Sequence, residues 1–149
     1  MARIKKKKAT FESFESLNPN DRYFRITHSM FVSKPWNHTS IYAHEVYCLM
    51  KHKFTRNDSK GTNNKDDISL TYSEINGVMN SRTFTKAIDE LIEHGFIVIN
   101  SFGRYSRTAN IYGFSDMWKL YGTEKFKVIK RPVRTDKGVK KKPLLEIAK

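Results

Sequence analysis

The chain has 149 residues, 28 Lys and Arg against 15 Asp and Glu, and a formal net charge of +13. That length suits one domain with extensions and a proper core, and ten Phe with seven Tyr support a folded centre. A single cysteine, Cys48, excludes an intrachain disulfide. The absence of an apolar run of about 18 residues, or of a signal-peptide core after Lys8, argues for a cytoplasmic protein.

Charge divides the chain into a basic N-terminal arm (1–20), a folded body (21–122) and a basic C-terminal tail (123–149). Residues 1–10 carry Arg3, Lys5, Lys6, Lys7 and Lys8 with no acid. Residues 125–149 carry ten basic residues, Lys130, Arg131 and Arg134 among them, against Asp136 and Glu146, while residues 11–124 hold thirteen of each sign. A neutral body between basic arms is the pattern of chains that track phosphates and gain affinity from released counterions. Arms that neutralise about six phosphates lose roughly 10³-fold in affinity between about 50 and 200 mM salt. Neither arm has an amphipathic apolar face, which argues against a membrane surface.

In chain order, residues 23–27 (YFRIT) alternate like a short strand, and 28–36 read as a loop containing Pro35. Residues 39–54 predict a helix with an apolar stripe of Tyr42, Val46, Leu49, Met50 and Phe54; Cys48 falls within it as a small packing residue. Residues 55–66 are polar and read as a mobile loop. Ile68 to Leu70 suit a short strand, and Thr71 with Glu74 forms a capping box that starts a helix near residue 72. Ile75, Val78 and Met79 give that helix an apolar face. Asn80 and Ser81 cap a second helix, in which Phe84, Ala87, Ile88, Leu91 and Ile92 recur at helical spacing until Gly95 stops it. Residues 96–99 and 111–114 make a β-hairpin with a long tip. Ser115 or Asp116 then caps a short helix holding Met117, Trp118, Leu120 and Tyr121, and both tryptophans (Trp36, Trp118) are expected to pack flanking segments on the core. Beyond Gly122 the chain reads as loosely ordered.

At 100° per residue the five apolar positions of the second helix share one face. The opposite face carries Arg82 and Lys86 early, and Asp89, Glu90 and Glu93 late. Like charges at a helix start, where acids are normally preferred, suit a surface that meets phosphate. Asn80, Ser81, Thr83 and Thr85 add hydrogen-bonding groups. The hairpin tip contributes Arg104, Tyr105 and Arg107, and an arginine fork suits a minor groove or a phosphate.

Catalysis finds little support. The five histidines form no metal-ligand spacing, a lone cysteine does not complete a finger-type zinc site, and Gly103 stands alone rather than in a phosphate-binding loop. No enzyme activity, cofactor or metal is expected.

The passages YFRITHSMF, PWNHTSIYAHEVYCLMKHKF and ISLTYSEINGVMNSRTFTKAIDELIEHGFI, with the closing NIYGF, carry a family resemblance. Over residues 23–121 the chain resembles the N-terminal winged-helix region of plasmid replication initiators and phage replisome organisers. It is also similar to helix-turn-helix proteins of Gram-positive phages and conjugative elements. The resemblance implies an α+β winged helix-turn-helix with a short N-terminal strand and a short C-terminal helix, flanked by basic flexible tails. It places the DNA-facing helix at 81–91 and the wing at 101–108. It also implies duplex DNA as the partner, with proteins of a replication or conjugation machinery beside it. The expected role is an accessory factor in replication, conjugation or partition, or a regulator such as a transcriptional repressor. General RNA or DNA coating and a protein-binding winged helix remain alternatives, and monomer and homodimer stay equally open.

Overall fold

Hydroxyl caps start the first three helices. The computed structural model describes residues 12, 14–18, 21–103 and 107–132 and the backbone of 145–147. In it Thr27, Ser33 and Ser40 each accept a hydrogen bond from the third amide of the helix that follows. They start α1 (His28–Phe31), α2 (Lys34–His38, with Pro35 in its first turn) and α3 (Ile41–Lys53), where free N–H groups need an acceptor. Residues 28–36 are therefore two helical turns rather than the loop expected. Their signal lies in caps, because neither turn is long enough to display a period. Residues 23–27 do not form the expected strand among the described residues, and Ile26 packs on the core.

On α3 the buried positions are Ala43, Val46, Tyr47 and Met50, whereas Tyr42 is exposed and Leu49 only partly buried. The stripe is rotated from the one expected, and Tyr47 replaces Tyr42 as the core aromatic. Its ring meets Trp36, Phe96 and Phe114 edge-on at 5.5, 5.8 and 5.5 Å, the arrangement aromatic quadrupoles favour. The polar residues 55–66 are not merely a loop. They include β1 (Arg56–Asn57) paired with β2 (Thr62–Asn63), turned at Gly61 with φ +64°. Asn64 secures the base, accepting from Thr55 N at 2.7 Å and donating to Lys53 O at 3.1 Å.

After β3 (Ile68–Ser69) comes α4 (Tyr72–Ile75), a single turn. It is shorter than expected because Asn76 is extended and Gly77 takes φ +86°. Ile75 is buried and Met79 packs on the core, but Val78 faces solvent. Asn80 then caps α5 (Ser81–Glu93), its Oδ1 accepting from Thr83 N at 2.8 Å. Phe84, Ala87, Ile88, Leu91 and Ile92 are its buried face, as their spacing predicts. Packed α3 and α5 lie against a three-stranded antiparallel sheet of β3, β4 (Ile97–Ser101) and β5 (Ile111–Phe114), ordered β3–β5–β4. The pairing of β4 with β5 shifts between Ile99 and Ser101. A 3₁₀ turn (Met117–Leu120) follows, its first amide donating to Ser115 Oγ at 3.1 Å. Trp118 stacks on Phe96 at 5.9 Å, and Trp36 meets Phe96 edge-on at 5.4 Å, so both tryptophans bring flanking segments to the core.

Packing continues past residue 122. Phe126 is buried, and β6 (Lys127–Ile129) runs beside α5 and pairs antiparallel with β7 (Leu145–Ile147). One aromatic inside a lysine-rich run supplies the apolar anchor that the tail's composition conceals. The architecture is thus mixed α+β, two packed helices with small antiparallel sheets.

At the end of α5, Gly95 N donates to Ile92 O at 3.0 Å and Phe96 N to Leu91 O at 2.9 Å. This is the double closure of a helix that ends in a left-handed residue, and Gly95 has φ +79°. A Cβ there would lie 2.7 Å from Trp118 N, 2.9 Å from Met117 C and 2.9 Å from the Phe126 ring. Gly77, also at positive φ, has nothing within 4 Å. Replacing Gly77 by Ala should cost about 1 kcal/mol of stability, while Gly95→Ala should cost about 3 kcal/mol or more, because the clash adds to the backbone strain. Urea denaturation of the two variants measures the difference, and equal losses would show that the contacts at Gly95 relax freely.

Candidate functional site

On α5 the residues Arg82, Lys86, Asp89 and Glu93 fall within about 60° of one another at 100° per residue and form a single stripe. The stripe changes character at its midpoint. Arg82 and Lys86 are exposed, and neither enters an ion pair among the described residues. The carboxylates beyond them are all engaged. Asp89 takes a two-pronged bond from Arg131, Nε to Oδ1 and Nη2 to Oδ2, both 2.8 Å. Glu90 accepts from Ser40 N at 2.8 Å and so fixes the start of α3 on α5. Glu93 Oε1 lies 3.7 Å from Lys130 Nζ.

Two of the basic residues expected to meet nucleic acid, Lys130 and Arg131, are therefore brought onto the acidic half of the helix rather than held in a free tail. Ser81 joins Arg82 and Lys86 on the exposed start, and Thr83 and Thr85 are half-buried. Asn80 spends its side-chain oxygen on the helix cap. Arg107 is exposed near the hairpin tip with φ +55°. Lys5, Lys6, Lys7, Lys8, Arg104, Tyr105 and Arg134 lie outside the described residues. The base of the hairpin loop is closed by Thr108 N donating to Gly103 O and Gly103 N donating to Asn110 Oδ1, both 3.0 Å.

Between α4, α5 and this loop base lies a cleft of about 330 Å³. Its apolar wall includes Leu70, Phe84, Ile88 and Tyr112, with Thr85, Asn110 and Arg131 among the polar groups. Burial pushes the Tyr112 phenol up, so it stays protonated, and its oxygen accepts from Asn110 Nδ2 at 3.1 Å. Tyr72 lines one side, half exposed, its ring 5.8 Å from Phe84 and edge-on to it. The cleft and the Asp89–Arg131 pair had no sequence signal of their own. A dibasic step at 130–131 and an Asp89/Glu93 pair one turn apart are compatible with contact, but nothing in the local pattern sets their register.

No group of three or more His, Cys, Asp or Glu among the described residues is placed to hold a metal ion. His94, the α5 C-cap, directs Nδ1 to Glu90 O at 2.8 Å, and His44 directs Nε2 to Trp36 O at 2.9 Å, so both serve packing. Cys48 is half-buried, and burial raises its thiol pKa, which opposes thiolate formation. No described helix is long and apolar enough to cross a membrane. No family model, curated protein or solved structure matches the chain.

The turn that leads into α5 is tied down by one carboxylate. Glu74 Oε1 lies 2.6 Å from Lys53 Nζ, and Glu74 Oε2 accepts from Thr71 N at 2.8 Å; Lys53 also donates to Ser69 O at 2.5 Å. The Lys53 hydrogen bond first, then the Thr71 amide, hold the Glu74 carboxyl down at about 2 against an ordinary 4.5. A depressed carboxyl stabilises the fold above its unfolded pKa, and that contribution is lost as pH falls through the folded one. Glu74→Gln should therefore remove part of the stability loss between about pH 4.5 and pH 2. Urea midpoints across that window measure it; an unchanged slope would mean that Lys53 and Thr71 do not hold this carboxylate in solution.

Proposed function

We propose that the chain binds duplex DNA as a winged helix, with the start of α5 as the reading element and the β4–β5 hairpin as the wing. The observation that carries this reading is the divided stripe of α5: its carboxylates are engaged by the protein itself, while Arg82 and Lys86 stay exposed and unpaired among the described residues. Reading helices of this type dock through their N-terminal residues. Arg82 and Lys86 then meet phosphates, and Ser81 and Thr85 supply hydrogen bonds to phosphate or base edges. Arg107 and the arginine-bearing hairpin tip reach the adjacent groove. The order one-turn helix, turn, long helix, hairpin supports the assignment, as does the third strand (β3) that backs the hairpin. The lysine runs at the two ends of the chain add affinity that is independent of sequence. Such a face fits site recognition, and the resemblance over residues 23–121 implies a role in replication, conjugation or partition, or in transcriptional control.

Fluorescence anisotropy with duplex from the gene's own upstream region and with scrambled duplex, each across a salt series, tests the reading. Replacing Arg82 and Lys86 together by Ala should weaken duplex binding and lower the slope of log K against log salt by about 2, one unit for each phosphate that is no longer neutralised. Removing the run Lys5 to Lys8 should weaken all sequences alike. An unchanged slope in the Arg82/Lys86 variant would remove α5 from the interface.

A further inference from the structure

The cleft beside α5 is built unlike a bare phosphate-binding surface. Phosphate needs only cations and N–H groups, whereas this cleft has the half-exposed ring of Tyr72 at its side, backed by the buried Phe84 and Tyr112. Arg131 lies at the same cleft, and its orientation is set from behind. Asp89 takes Nε and Nη2, and no hydrogen bond engages Nη1 among the described residues. Thr85 and Asn110 also line the cleft with polar groups. Few convergent polar groups over an apolar floor is the usual form of a small-ligand site, and at about 330 Å³ the cleft holds more than a single ring.

We propose that this cleft binds a nucleotide, its base on the exposed ring of Tyr72 and its phosphate on Arg131. The proposal rests on the reading of this face as nucleic-acid-binding and names what sits between the helix and the wing. The nucleotide is either free or an unpaired residue within a strand. The two sources share the same chemistry: a flat π-face for the aromatic rings and an anion for the guanidinium. Asp89 acts here as a positioning residue. It fixes the arginine's plane and touches no ligand.

The test uses the full chain and two kinds of probe. Adenosine and thymidine 5′-monophosphates, with ribose 5-phosphate as the base-free control, are titrated by calorimetry. A duplex carrying 2-aminopurine opposite an abasic position reports an unpaired base by fluorescence. Tyr72→Ala should weaken at least one nucleotide probe about 10-fold or more, the scale of removing one base–aromatic stack, and leave ribose 5-phosphate unchanged. Tyr72→Phe, which keeps the ring, should restore the affinity, and the unchanged binding of ribose 5-phosphate to Tyr72→Ala separates loss of the stack from loss of the fold. Arg131→Gln should weaken the monophosphates more than it weakens adenosine. Tyr72-dependent binding of the free monophosphates assigns the cleft to a free nucleotide, and a response of the duplex probe alone assigns it to a base within a strand; both outcomes support the proposal. Absence of Tyr72-dependent binding with either probe overturns it. In that event, duplex binding that still depends on Arg82 and Lys86 leaves the proposed function standing, and loss of all duplex binding removes both.

Discussion

The structure turns on one left-handed residue. At Gly95 the end of α5, the start of β4, the 3₁₀ turn and the C-terminal segment 123–132, here called the strap, converge within a few ångströms. Its amide and that of Phe96 close the last turn of the helix, its carbonyl accepts from Trp118 N at 3.0 Å, and its Cα faces Met117, Trp118 and Phe126. A side chain there would part the 3₁₀ turn from the helix end. Phe96 would lose the position in which it meets Trp36, Tyr47 and Trp118. The direction of β4, and with it the aim of the hairpin, is set by the same bend. Where the exposed tip of the hairpin stands relative to α5 is therefore decided in the core, at a residue that contacts no ligand.

The apolar face of α5 and its polar face solve different problems. Phe84, Ala87, Ile88, Leu91 and Ile92 bury the helix against α3 and the sheet, and fully buried alanines on both helices, Ala43 and Ala87, allow close approach. On the other side the carboxylates hold two segments: Asp89 and Glu93 the strap, Glu90 the N-cap amide of α3. Exposed ion pairs contribute little on their own. Their effect here is one of placement, because two segments distant in sequence are fixed along a single helix.

How much of this was legible depended on the range of the signal. The buried face of α5 was readable because five apolar residues keep one period over about two and a half turns. The stop at Gly95 was readable because the left-handed position prefers glycine. On α3 the choice between Tyr42 and Tyr47 was not local. Both suit a helix face, and the aromatic cluster around Phe96 decides in favour of Tyr47. The short turns α1 and α2 carry their caps in sequence, at Thr27 and Ser33, but no periodicity to frame them. Gly77 ends α4 early, a break that the run Ile75, Val78, Met79 concealed. The Asp89–Arg131 pair was least legible, since a bond across 42 residues needs the path of β6 to be known first. The same holds for the cleft, which takes residues from α4, α5, the hairpin and the strap.

That path changes the electrostatics of the face that reads as the site. Lys86 and Asp89 are three residues apart, about 4.5 Å along the axis, well inside a Debye length of about 8 Å at physiological ionic strength. A phosphate drawn to Lys86 would therefore sense Asp89, and Glu93 one turn further on. With the strap docked, Arg131 and Lys130 lie on those two carboxylates and cancel much of their repulsion where it would oppose an incoming strand. The positive charge of the strap is then best counted as compensation for α5, not as an independent arm. On this account the acidic half of the helix and its basic neighbour in the tail form one electrostatic unit beside the exposed start of α5.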